Sequence, residues 1–313
     1  MEIAPQILLF LGGLVLALVA SDVAVTYTRA LASALGAPSF IVGVVLVSIG
    51  TDLPEIANSI ASHVQGQGDV NVGDSVGSTL TQYTLVLGLF PLVAGAMRID
   101  RRQVGVVTAL TMAGLLLTCL FVADGWLGRP EGVVLVLAWA VFTYVVVRTV
   151  TGLPGDDAPA VKVSARAGQA GIVLGALAVV GLGATVAVRA LVRIAELAGV
   201  PEFVIAFFGA SLGTSAPEIV VDVNALLRGA PGIALGDALG SSLVDSTLSI
   251  GAGPIVAPAE VTPRLALTGA LYTFVAVGVV GGLLGKRRLH DRRSMVVLFL
   301  LYLIAYAVLL SAN

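Results

Sequence analysis

The chain is poor in cysteine, histidine and charge. Cys119 stands alone inside LTMAGLLLTCLFV, which excludes an intramolecular disulfide and any cysteine-based metal cluster. His63 and His290 fall at predicted span ends, where an interfacial place is expected rather than a metal-ligand role. Asp, Glu, Lys and Arg make up 12% of the 313 residues and the formal net charge is -2, so no electrostatic footprint for nucleic acid is present. No HExxH motif and no convincing Ser/His pairing occurs within the apolar runs, so an enzyme is not expected, and no cofactor is.

What remains is oil. Hydrophobic residues make up 58% of the chain and the mean hydropathy is +1.02, which marks an integral membrane protein. The runs are continuous rather than alternating, which excludes an outer-membrane barrel and predicts an all-α bundle. With roughly 20 apolar residues needed per helix, ten spans are expected near 6–33, 39–62, 70–92, 103–123, 131–150, 168–196, 202–227, 232–255, 264–285 and 295–311. The start, MEIAPQILLFLGGLVLALVASD, has no basic n-region, so its apolar run is expected to be retained as the first span.

Basic residues gather in alternate loops. Arg98, Arg101 and Arg102 follow the third span, Arg148, Lys162 and Arg166 surround the fifth connection, Arg228 follows the seventh, and Lys286, Arg287, Arg288, Arg292 and Arg293 follow the ninth. The opposite loops hold little beyond Arg129 and Arg264. The positive-inside rule therefore predicts a multi-pass cell-membrane protein with both termini outside. The polar stretch 151–167, TGLPGDDAPAVKVSARA, reads as a cytoplasmic linker between a first half, 1–150, and a second, 168–313.

The two halves share a text. SIGTDLPE at 48–55 returns as SLGTSAPE at 211–218, and GDSVGSTLTQ at 73–82 returns as GDALGSSLVD at 236–245, both at an offset of 163 residues. The same offset carries Pro38 onto Pro201 and Phe40 onto Phe203. Five spans separate equivalent positions, so the expected architecture is two five-helix repeats inserted in opposite directions. In such folds the substrate lies at the midplane, on interrupted helices.

The repeated motifs put acids where acids are costly. An ionised carboxylate mid-span is unfavourable by about 2.5–3.5 kcal/mol, and Asp52, Glu55, Glu218 and Asp245 all fall there. Segments 48–62, 70–88, 211–225 and 233–251 contain no Lys or Arg, so the chain supplies no counter-charge of its own within them. Oxygen-bearing residues stack at i,i+4: Thr51 with Glu55, Ser78 with Gln82, Thr214 with Glu218 and Ser241 with Asp245. Pro54 and Pro217 cannot bond the carbonyls of Gly50 and Gly213, leaving further oxygens free. Such a set suits a hard metal cation. Gly73, Gly77, Gly236 and Gly240 are expected to allow close helix approach, Asp74 and Asp237 to cap restarting helices, and Asp69 and Asp222 to sit near span ends.

The paired GTDLPE and GTSAPE motifs, each followed by G-D-x-x-G-S, resemble the alpha-repeats of the sodium/calcium exchanger family. The resemblance covers both repeats and implies calcium leaving the cytoplasm against sodium entering, by alternating access. Carried over, the ion-binding shell falls in the first repeat on Ser48 (by its carbonyl), Thr51, Asp52, Glu55, Ser78 and Gln82. In the second it falls on Ser211 (by its carbonyl), Thr214, Ser215, Glu218, Ser241 and Asp245. Calcium and sodium are the ions expected there, with the lipid bilayer as the surroundings and a monomer as the expected state. The family commonly has Ser at Asp52, Asn at Gln82 and Asn at Asp74 and Asp237, so charge and crowding at the site differ here. The first and sixth spans are expected to slide against the helices holding the site. A calcium/proton antiporter, an exchanger of another cation and a cation channel are the alternatives.

Overall fold

A computed structural model describes residues 3–150, 168–197 and 215–312. The protein is mostly helical. Among the described residues, six helices are long and apolar enough to cross a membrane: Ile3–Leu35, Gly68–Val93, Arg101–Phe121, Arg129–Val150, Gly168–Leu191 and Pro263–Arg287. Ser39–Thr51 and Leu53–Val64 make a seventh if counted as one interrupted span. The expected span at 202–227 begins outside the described residues, and its end is the helix Ala216–Leu227.

The chain divides into two units that do not follow its halves. Met1–Leu53 with Pro154–Asp237 form one, and Pro54–Leu153 with Ala238–Asn313 form the other. In the first unit the long helices Ile3–Leu35 and Gly168–Leu197 pack along each other through small residues. A Cβ on Gly13 would lie 2.6 Å from the Gly183 carbonyl oxygen, and one on Gly183 would lie 2.8 Å from that of Gly13. Only glycine lets backbones approach so closely, which is how helices associate where lipid removes the usual hydrophobic drive.

The second unit packs in the same manner. Gly132 and Gly251 meet backbone to backbone, and Gly281 sits against the Thr108 side chain. Two short antiparallel ladders tie its loops. Met97–Arg98 pairs with Leu289–His290, and Trp126–Leu127 pairs with Ala259–Glu260. The first ladder joins the loop of Arg98, Arg101 and Arg102 to the loop of Arg287, Arg288 and Arg292, so the two most basic connections lie at one end of this unit. The second joins the loops that carry Arg129 and Arg264.

Local conformation recurs at the sequence offset of 163 residues. Leu53–Val64 answers to Ala216–Leu227, and Gly68–Thr81 to Pro231–Val244. π-helical turns follow at Gln82–Val86 and Asp245–Ser249, then helices carrying Pro91 and Pro254. The shared text thus specifies shared structure.

Both histidines are buried, not interfacial. His63 Nδ1 lies 2.8 Å from the Ala257 carbonyl oxygen, and His290 lies between Leu87 O at 2.6 Å and Ser294 Oγ at 2.7 Å. The Leu87 carbonyl only accepts, which assigns the ring proton to Nε2 of His290 and leaves Nδ1 to accept from Ser294. Burial holds His290 below its ordinary value of 6.5, outweighing the Leu87 bond. A histidine kept neutral contributes stability that is present above its unfolded pKa and is lost as pH falls below it. The unfolding midpoint in detergent should therefore drop as pH is lowered from 7.5 to 5.5, and His290→Gln should be less stable yet flatter across that range.

Candidate cation site

Both repeats start a helix at the same place. The helix Ser48–Thr51 ends at Asp52, with φ -82° and ψ 4°, and Ser215, its equivalent, has φ -86° and ψ 8°. Pro54 and Pro217 lack the N–H needed to continue the ladder, but suit the first turn of the helix that restarts. Glu55 and Glu218 lie in that first turn, where the positive end of the helix dipole favours an anion. Each helix start thus positions a glutamate and offsets part of the cost of its burial.

In the first unit, Asp52 and Glu218 are brought together. Both are 0% exposed, and one oxygen of each lies within 4.8 Å of the other. That is the spacing one hard cation bridges at about 2.3–2.6 Å per oxygen. Ser215 Oγ is buried there and makes no hydrogen bond among the described residues. Thr51 Oγ1 lies 3.1 Å from the Ser48 carbonyl oxygen and 3.2 Å from Asp237 Oδ1. The Ser48 carbonyl also accepts the Asp52 N–H at 2.9 Å. Ser211 and Thr214 lie outside the described residues.

In the second unit, Glu55, Ser78, Gln82, Ser241 and Asp245 are all buried. Gln82 Nε2 donates to Asp245 Oδ2 at 3.2 Å, and Gln82 Oε1 accepts from Ser242 Oγ at 2.9 Å. Gln82 and Asp245 each open a π-helical turn, the local widening often found where helices serve a ligand.

Three expectations change. Asp74 and Asp237 do not cap: they lie inside the helices Gly68–Thr81 and Pro231–Val244. Asp222 is not a solvated end residue but is fully buried. Its position four residues beyond Glu218, on the same helical face, was the available signal. Gly73 and Gly77 have open space around them and line a groove of about 260 Å³ between Gly68–Thr81 and Pro263–Arg287, whereas Gly236 packs on backbone.

The sodium/calcium exchanger protein family matches residues 5–148 and again 168–312, nearly the whole described chain. The chain belongs to that family. Among curated relatives, CaxA of Alkalimonas amylolytica is 30% identical over 260 residues, covering 79% of this chain and 80% of that one. The sodium/calcium exchanger MaX1 of Methanosarcina acetivorans is 26% identical over 333 residues, covering 88% and 93%. A solved structure of the sodium-calcium exchanger NCX_Mj has the same fold, with a TM-score of 0.81 at 22% identity over 98% of this chain and 99% of that one. Membership makes the protein a membrane transporter of the cation/calcium antiporter kind.

Proposed function

We propose that the protein exchanges sodium for calcium by alternating access, at one site made by Ser48, Thr51, Asp52, Glu55, Ser78 and Gln82 with Ser211, Thr214, Ser215, Glu218, Ser241 and Asp245. The single observation behind this is the pairing of Asp52 with Glu218, both fully buried and one from each repeat. Buried carboxylates that close require positive charge. No Lys or Arg stands in the repeated segments, so mobile cations are its natural source. Sodium and calcium would compete for the same oxygens, and the exclusion of one by the other couples their movements.

The architecture we assign is ten spans in two inverted five-helix repeats, 1–150 and 168–313, joined by a cytoplasmic linker at 151–167. Both termini are then outside and the monomer is the working unit. The helices Ile3–Leu35 and Gly168–Leu197, which pack on each other, are the elements assigned to slide. Sodium-gradient-driven calcium-45 uptake into proteoliposomes tests the exchange. Uptake driven by a pH gradient alone, without sodium, would replace it with calcium/proton antiport. Sustained single-channel current with no counter-ion would replace it with a channel.

Asp52 favours a second reading, transport of another cation, because it adds an anion where the family commonly has serine. Asp52→Ser should leave calcium uptake measurable and change the ratio of inhibition by competing magnesium, strontium and manganese by about tenfold, the equivalent of about 1.4 kcal/mol. An unchanged competition profile would make Asp52 a bystander.

A further inference from the structure

Within the first unit, the helix Ile3–Leu35 packs against Ala216–Leu227, and polar groups stitch the two together. Asn224 Nδ2 donates to Ser21 Oγ at 3.0 Å, and the Arg228 guanidinium pairs with the Asp22 carboxylate. Arg29 Nη1 donates to the Arg228 carbonyl oxygen at 2.9 Å, at the helix C-terminus, where carbonyls lack helical partners and the dipole favours a cation. Asn224 and Arg228 are one turn apart and so share a face. Asp22 is the only charged residue between Glu2 and Arg29. An acid in so apolar a helix is costly, and Arg228 supplies its counter-charge.

The other repeat is an internal control. The offset of 163 residues holds through these helices, since DVAV at 22–25 answers to TVAV at 185–188 and Gly36 to Gly199. Ala184 and Thr185 stand in place of Ser21 and Asp22, and Ala61 and Gln65 in place of Asn224 and Arg228. Thr185 Oγ1 donates to the Gly181 carbonyl at 2.8 Å and Gln65 Nε2 to that of Ala61 at 3.0 Å, each four residues back along its own chain. These four positions carry no charge.

We propose that Ser21, Asp22 and Arg29 with Asn224 and Arg228 form a latch that shuts one end of the protein and opens in every transport cycle. The proposal rests on the sliding of Ile3–Leu35 assigned above. A slide of one helical residue, about 1.5 Å, is enough to break a hydrogen bond of ordinary length. Arg228 follows the seventh span, among the loops assigned to the cytoplasm, so the latched end is the cytoplasmic one. With no such groups at the equivalent positions of the other repeat, the latch biases the equilibrium toward the state in which that end is shut.

The test fixes the latch and then loosens it. Ser21→Cys with Asn224→Cys, in a Cys119→Ala background, is reconstituted and bridged with a short bis-methanethiosulfonate reagent, which dithiothreitol removes. The expected result is loss of calcium-45 uptake on bridging and its return on reduction, with each single-cysteine protein unaffected. Asp22→Cys with Arg228→Cys serves if the first pair does not fold. Added to the first pair, Asp22→Asn should slow bridging about two- to fivefold, the range of a half-exposed ion pair, and the charge exchange Asp22→Arg with Arg228→Asp should restore it. Unchanged uptake by protein shown to be bridged, absence of bridging, or a bridging rate indifferent to Asp22→Asn would each overturn the latch. Uptake by the unbridged protein on a pH gradient but not on a sodium gradient would sink the exchange reading instead, and bridging is then scored on that uptake.

Discussion

Glu218→Gln should reduce sodium-driven calcium uptake at least about 100-fold while the protein remains folded. Changing even a group that only supports a metal ligand typically costs 10–100-fold, and Glu218 is assigned a direct role. Its carboxylate is fully buried within 4.8 Å of an Asp52 oxygen. Glutamine keeps the shape and removes the charge. Without cations, the variant should unfold at the same temperature as the parent or higher, because a buried like-charge repulsion has been relieved. Calcium at 100 times its dissociation constant should stabilise the parent by about 2.7 kcal/mol and the variant hardly at all. Thermal unfolding in detergent, with and without calcium, reads both effects. Parent-like uptake, or an equal calcium shift in the two proteins, would show that Glu218 is not a ligand. Acid should mimic the substitution in part, since a protonated carboxyl has lost the charge that binds the ion.

Much of this was legible because the chain says it twice. A single intramembrane Asp or a single Pro is ambiguous, but Asp52 and Ser215 fall at matching places in two texts, and the backbone takes nearly the same dihedral angles at both. The helix starts, the π-helical turns and the prolines at 91 and 254 recur in the same register. What stayed hidden was whatever the shared text does not carry. The π-helical turns leave no compositional mark, since Gln82–Val86 reads like the helix around it. The two-residue ladders are too short to alternate. Asp222 reads as terminal because apolar runs define the span ends, and only the helical face it shares with Glu218 marks it as buried. His63 and His290 read as interfacial for the same reason, yet their partners are carbonyls 194 and 203 residues away, beyond any local rule.

The same substitution at the equivalent glycines of the two repeats should move stability in opposite directions. Gly236→Ala places a methyl group onto the Phe40 carbonyl oxygen and 3.1 Å from Gly43 Cα, where the neighbour is backbone and cannot turn aside. Overpacking of that kind costs about 1–3 kcal/mol, so an unfolding midpoint lower by roughly 5 °C is expected. At Gly73 an added Cβ meets nothing within 4 Å. There alanine gains up to about 1 kcal/mol from helix propensity alone, and the midpoint should rise. Function should follow the first change and not the second. The close crossing at Gly236 sets the helix whose next residue, Asp237, reaches Thr51 at 3.2 Å. A shift of about an ångström in that helix separates the groups it aligns, and misplacement of that size is costly wherever a site depends on preset geometry. Gly236→Ala should therefore lose transport in proteoliposomes beyond what its lower midpoint explains at the assay temperature, with Gly73→Ala retaining the parent rate. Equal effects at the two positions would mean that the repeats pack alike, and that the divergence of GDALGS from GDSVGS carries no structural difference.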